Sequence, residues 1–123
     1  MKLLAEHNIE IENTKIFLII FKLYKSYLLL ISDQEELGIG NVTLGSPPII
    51  NGVKPPSISY NLFGVNSNLL STIIVERVSS ALNAPILLLL FLRNELNIEK
   101  MIKPVINFIN KIIEGIMEKK SNE

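Results

Sequence analysis

Few residues of this chain belong to types that perform chemistry. His7 is the one histidine and cysteine is absent, so a nucleophile–base pair has one imidazole to draw on and no thiol to activate. His7 lies in a polar leader near the start of the chain, where a solvated histidine is the favoured reading, since a catalytic base must be held rigidly. Asp33, Glu35 and Glu36 are closely spaced carboxylates that could gather a hard cation such as magnesium or calcium. Only part of the calcium-loop spacing is present, and Asp33-Gln34-Glu35-Glu36 reads first as a solvated hairpin tip. Gln34, Glu35 and Glu36 are also what such a tip would present to a partner.

Gly38-Ile39-Gly40-Asn41 has no third glycine, no following lysine and no helix start, which speaks against a nucleotide loop. Gly64-Val65-Asn66-Ser67 is better placed, between a strand and a helix, where backbone donors could hold an anion. Ordinary capping by Asn66 or Ser67 is the favoured reading, with Asn66 a further candidate for partner contact. Arg93 ends an apolar strand and could pair with a carboxylate of its own or a partner chain, or form a plain rim salt bridge. Tyr24, Tyr27 and Tyr60 read as core or interface aromatics. The 12 basic residues balance the 12 acidic ones, which argues against a nucleic-acid partner. No cofactor, metal or catalytic residue is assigned.

What must be positioned, then, is mainly apolar surface. Ile86 to Leu92 has no polar residue, Tyr27 to Ile31 almost none, and Ile16 to Phe21 is a third such run. A strand with one wet face alternates apolar and polar, whereas one buried on both faces reads as an unbroken apolar run.

At 123 residues the chain closes one domain. The order predicts a loose segment over 1–8 and a short edge strand over Ile9–Glu12, then strands over Lys15–Leu23 and Tyr27–Ser32. A glycine-bearing strand over Leu37–Leu44 should show a bulge or a close backbone approach. A Pro-rich loop follows from Gly45 to Pro56, its Ile49, Ile50 and Val53 packed on something, and then a strand over Ser57–Phe63. One helix is expected from Asn66 or Ser67 to about Leu82, its apolar face made by Leu69, Leu70, Ile73, Ile74, Val78, Ala81 and Leu82. The run Ile86–Leu92 comes next. A second helix capped by Asn97 carries Met101, Ile102, Val105, Phe108, Ile109, Ile112, Ile113 and Ile116, with Pro104 kinking it or delaying its start; residues 120–123 should be loose.

This is an α+β layout: a mainly antiparallel sheet of about six strands with two long helices on one face. The other face would stay apolar and bare unless a second copy covers it. The expected dimer seam is Phe17, Ile19, Phe21, Leu28, Leu30, Leu88 and Leu90. No signal-peptide core or span of ~20 apolar residues is present, so a cytoplasmic protein with no membrane partner is expected.

From about Ile9 to Ile113 the chain resembles the small proteasome assembly chaperones, the third and fourth members of the eukaryotic set, in an archaeal single-chain form. Three stretches carry the likeness. They are Tyr27–Ile31 with Leu37–Val42, Leu62-Phe63-Gly64 with the helix Leu69–Leu82, and Asn83-Ala84-Pro85 with Ile86–Leu92 and a closing helix. The resemblance implies no enzymatic activity, pairing as homodimers or heterodimers, and docking on proteasome α-subunits to guide α-ring assembly. The alternative from the residues themselves is a small-molecule or anion-binding regulatory domain of a homodimer.

Overall fold

The computed structural model describes the chain except residues 51, 54, 55, 95, 96, 122 and 123, and leaves the side chains of 120 and 121 undescribed. Six strands, β1 (Lys2–Ile11), β2 (Thr14–Leu23), β3 (Ser26–Ser32), β4 (Asn41–Gly45), β5 (Ser57–Asn61) and β6 (Ile86–Phe91), form one sheet in the order β1-β2-β3-β6-β4-β5. Helix α1 (Asn68–Leu82) precedes β6 and α2 (Ile98–Ser121) follows it. Only the β3–β6 pairing is parallel; the others are antiparallel. The α+β expectation holds, and the most apolar run takes a central position between β3 and β4.

Two tight turns build the first half. Glu12 and Asn13 (φ 51° and 66°) close β1 onto β2, and Lys25 (φ 51°) closes β2 onto β3. Paired left-handed residues suit a two-residue hairpin because their twist matches that of the strands. The expected loose leader is instead strand: Lys2 to Ile11 pair with β2, with one irregularity between Leu3 and Ala5. Alternation over 2–8 is broken by the apolar run Leu3-Leu4-Ala5, where the register shifts, and by the polar run Glu6-His7-Asn8, so the pattern is easily read as a solvated tail.

The strand expected over Leu37–Leu44 begins only at Asn41. Gly38 and Gly40 do mark a close approach, as anticipated: a Cβ on either would lie 2.9 and 3.0 Å from the Phe91 ring. The Gly40 carbonyl accepts from the amides of Leu62 and Phe63, which anchors the end of β5 to the start of β4.

Helix α1 ends at Asn83, whose left-handed φ of 52° lets its amide bond the Ser79 carbonyl. Its buried side differs from the expected one. Ser71, Val75 and Ser79 face inward while Leu69 is exposed, because small serines let the helix lie close to the sheet. Helix α2 follows its expected apolar side with Ile106 added. Asn97 caps it, its carbonyls accepting from Lys100 and Met101, and Pro104 lies inside its second turn. Helix α2 continues to Ser121, so residues 120 and 121, expected to be loose, are helical; Asn122 and Glu123 lie outside the described residues, as do Asn51, Lys54 and Pro55 of the Pro-rich loop. No helix among the described residues is long and apolar enough to cross a membrane.

The core lies between one sheet face and the two helices. Ile16, Leu18, Ile20, Leu29, Ile31, Ile86, Leu88 and Leu90 are buried there with Ile74, Val75, Val78 and Ile109.

Candidate functional site: an uncovered apolar sheet face

Strand register assigns every side chain to a face. Phe21 pairs with Leu28 and Ile19 with Leu30 across β2–β3, and Leu28 pairs with Leu87 and Leu30 with Leu89 across β3–β6. Val42 and Leu44 of β4 continue the rows opposite Leu89 and Leu87, and Tyr60 and Ile58 of β5 extend them to the far edge. Side chains opposite one another in a ladder share a face. A band of Phe, Ile, Leu, Val and Tyr therefore crosses five strands on the side away from the helices. It is half-buried at the centre and exposed at the edge, where Leu44, Ile58 and Tyr60 are all more than half exposed.

Two of the expected seam residues do not belong to it. Leu88 and Leu90 are 0% and 1% exposed, inside the core. Phe17, Ile19, Phe21, Leu28 and Leu30 are on the open face, and their β6 companions are Leu87 and Leu89. An unbroken leucine run has no polar residue to reveal its phase, so only the register could make this choice.

Strand β5 shows the arrangement most plainly. Ser57, Ser59 and Asn61 point toward α1, while Ile58 and Tyr60 point outward, the reverse of an ordinary surface strand. The inward polar groups are bonded to one another. Asn68 Oδ1 accepts from Asn41 Nδ2 at 2.6 Å and from Ser59 Oγ at 2.8 Å, and Thr43 Oγ1 donates to Asn41 Oδ1 at 2.6 Å. A satisfied buried network fixes how α1 sits on β4 and β5.

A sequence signal for this flank was available. Lys54 is the single charged residue between Leu37 and Val75, although the chain carries 12 basic and 12 acidic residues. Depletion of charge marks the core of protein interfaces. Ile49, Ile50 and Val53, expected to pack on something, are exposed, as are Leu62 and Phe63.

The polar candidates gather at one end of the sheet. Parallel β3 and β6 both finish there, β4 starts there and β5 ends there, which brings the 33–36 turn and the Asn66 turn to the same rim. Glu35, Glu36 and Asn66 are exposed and Gln34 is half-buried. Asp33 is not part of a solvated tip. It is 7% exposed, and its carboxylate accepts from the backbone amides of Arg93 (3.0 and 3.1 Å) and Asn94 (2.8 Å). Asp33 thus clamps the end of β6, and it is the backbone of Arg93 that meets it. With Asp33 turned inward, the three carboxylates do not converge on one cleft, and no cluster among the described residues could hold a metal ion.

At the Gly64–Ser67 turn, Gly64 adopts φ 74° and Val65 donates to the Leu92 carbonyl. The Ser67 amide donates to Asn61 Oδ1 and the Asn68 amide to Asn66 Oδ1, so these amides at the helix start are already engaged. His7 is exposed on edge strand β1, opposite Leu18.

No family model matches the chain, and no curated protein matches its sequence. Among solved structures, a chain from the crystal structure of a novel chaperone complex for yeast 20S proteasome assembly is similar, with a TM-score of 0.59 at 9% identity. The match covers 91% of this chain and 97% of that one. At this identity the likeness is one of fold, an α+β sheet with helices on one side.

Proposed function

We propose that this chain is a non-enzymatic assembly chaperone of the third or fourth proteasome type, in an archaeal homologue that works as a homodimer on proteasome α-subunits. The observation that carries the reading is the bare apolar sheet face on a fold shared with a chain of a proteasome assembly chaperone complex. Packing that face against a second copy gives a sheet-on-sheet centre with the helices outside. Removing ~800 Å2 per partner from water at ~25 cal/mol per Å2 yields a gross term far above 10 kcal/mol, before association costs are set against it. In this reading the dimer is rigid, and the rim bearing Gln34, Glu35, Glu36 and Asn66 holds an α-subunit until ring contacts supersede it. Cytoplasmic location belongs to the same proposal.

The regulatory-domain alternative, an anion at Gly64–Ser67, has less support because the Ser67 and Asn68 amides already have acceptors. Two measurements test the proposal. Light scattering at micromolar concentration should give twice the chain mass, and purified α-subunits should bind in calorimetry and be retained in pull-downs. A monomeric mass, or no binding to any α-subunit, would overturn it.

A further inference from the structure

The helix-covered side of the sheet carries a second feature, at edge strand β1. Where α2 crosses edge strand β1 the packing is incomplete, and two cavities of 210 and 370 Å3 lie end to end. Leu4, Ile116 and Lys119 line both, so they form one groove. Ala5, Phe108 and Ile112 complete its apolar floor, and His7 and Lys111 also line the larger end.

Its smaller end is ringed by lysines. Lys2, Lys22 and Lys119 come from β1, β2 and α2, and no carboxylate lines that end among the described residues. Lys2 and Lys22 are direct cross-strand partners, a placement that like charges make unfavourable. The end of α2 lies within a turn of Lys119, and its carbonyls offset part of this repulsion. A bound anion would offset the rest.

Gly115 bears on the other end. It interrupts α2 on the groove-lining side, between Lys111 and Lys119, and glycine inside a helix costs about 1 kcal/mol against alanine. Packing does not demand it, since a Cβ there would meet nothing within 4 Å. The position opens directly onto the groove. From Phe108 to Lys119 the helix advances about 16 Å at ~1.5 Å per residue, the span of an extended acyl chain.

We infer that the β1–α2 groove binds an amphiphilic anion, an alkyl carboxylate whose head sits among Lys2, Lys22 and Lys119 and whose tail lies along Leu4, Ile112 and Ile116 past Gly115. Charge complementarity selects the head, and the apolar floor selects the tail.

The test titrates the full chain with dodecanoate, with dodecyltrimethylammonium (the same tail with the opposite charge) and with acetate, by calorimetry and amide chemical shifts. Dodecanoate should bind one per chain, at least tenfold more tightly than either control, with shifts at Leu4, Gly115 and Lys119. The double variant Lys22→Gln/Lys119→Gln should weaken dodecanoate at least tenfold. Gly115→Leu should weaken it as much while leaving the melting temperature equal or higher, which separates blocking from unfolding. Equal affinity for the cationic amphiphile, shifts confined to Leu87 and Leu89 on the bare face, or unchanged binding in Gly115→Leu would each overturn the inference. The dimer and α-subunit measurements are independent of these outcomes.

Discussion

Leu88 and Leu89 are neighbours in β6, yet Leu88 is fully buried in the core while Leu89 stands on the bare face opposite Leu30 and Val42. The two positions separate folding from association. Leu88→Glu places an unpaired carboxylate in the core and should cost more than about 4 kcal/mol, enough to unfold a marginal domain. Leu89→Glu should keep the circular dichroism spectrum and weaken self-association at least tenfold, about 1.4 kcal/mol, in sedimentation equilibrium. Similar behaviour of the two variants would contradict the register and the dimer together.

Asp33 is the clamp on the end of β6. Hydrogen bonds to a charged group contribute about 1.5–3 kcal/mol each, and this carboxylate meets two backbone amides, those of Arg93 and Asn94. Asp33→Ala should lower unfolding free energy in urea by about 3 kcal/mol or more. Glu35→Ala and Glu36→Ala, at exposed positions beside it, should stay within about 0.5 kcal/mol of the parent. On the proposed function, those two variants should instead weaken α-subunit binding.

The network at Asn68 gives a third expectation. Asn68→Ala removes the shared acceptor of Asn41 and Ser59, leaving Asn41 Nδ2 a long 3.4 Å bond to Asn61 Oδ1 and Ser59 Oγ its bond to Thr43 Oγ1, and should cost about 1–3 kcal/mol. A double-mutant cycle with Ser59→Ala should show coupling of at least about 0.5 kcal/mol. Strict additivity would mean that the network does not act as a unit.

Gly64 and Gly52 form a matched pair. Both have positive φ, 74° and 85°, but a Cβ on Gly64 would lie 2.5 Å from the Leu92 carbonyl oxygen while one on Gly52 meets nothing within 4 Å among the described residues. Gly52→Ala should cost about 1 kcal/mol, the left-handed penalty alone. Gly64→Ala should cost clearly more in the same urea titration, because backbone must move as well.

Much of the fold was legible. The hydrophobic runs placed β2, β3 and β6 within a residue or two, the helical apolar spacing placed the end of α1 at Leu82, and Asn97 marked the start of α2. The first part of edge strand β1 was hidden because a register shift between Leu3 and Ala5 and the polar run Glu6-His7-Asn8 break its alternation. The inward face of α1 was misjudged at Ser71, Ser79 and Leu69, since a helix lying close over a sheet selects for size as much as for hydropathy. Asp33 looked like its neighbours Glu35 and Glu36; only the return of β6 to the same rim made it a buried clamp.

By itself the sequence determined that more apolar strand surface exists than two helices can cover, because local periodicity and run length are properties of the chain. Which leucines occupy the bare face was decided by the tertiary structure. A strand's side chains alternate with a period of two, so a uniform run such as Ile86–Leu92 supports either phase, and only pairing with β3 and β4 selects Leu87 and Leu89 for the outside. The lysine-ended groove has the same origin: Lys2, Lys22 and Lys119 are distant along the chain, and only the hairpin register and the path of α2 bring them to one rim.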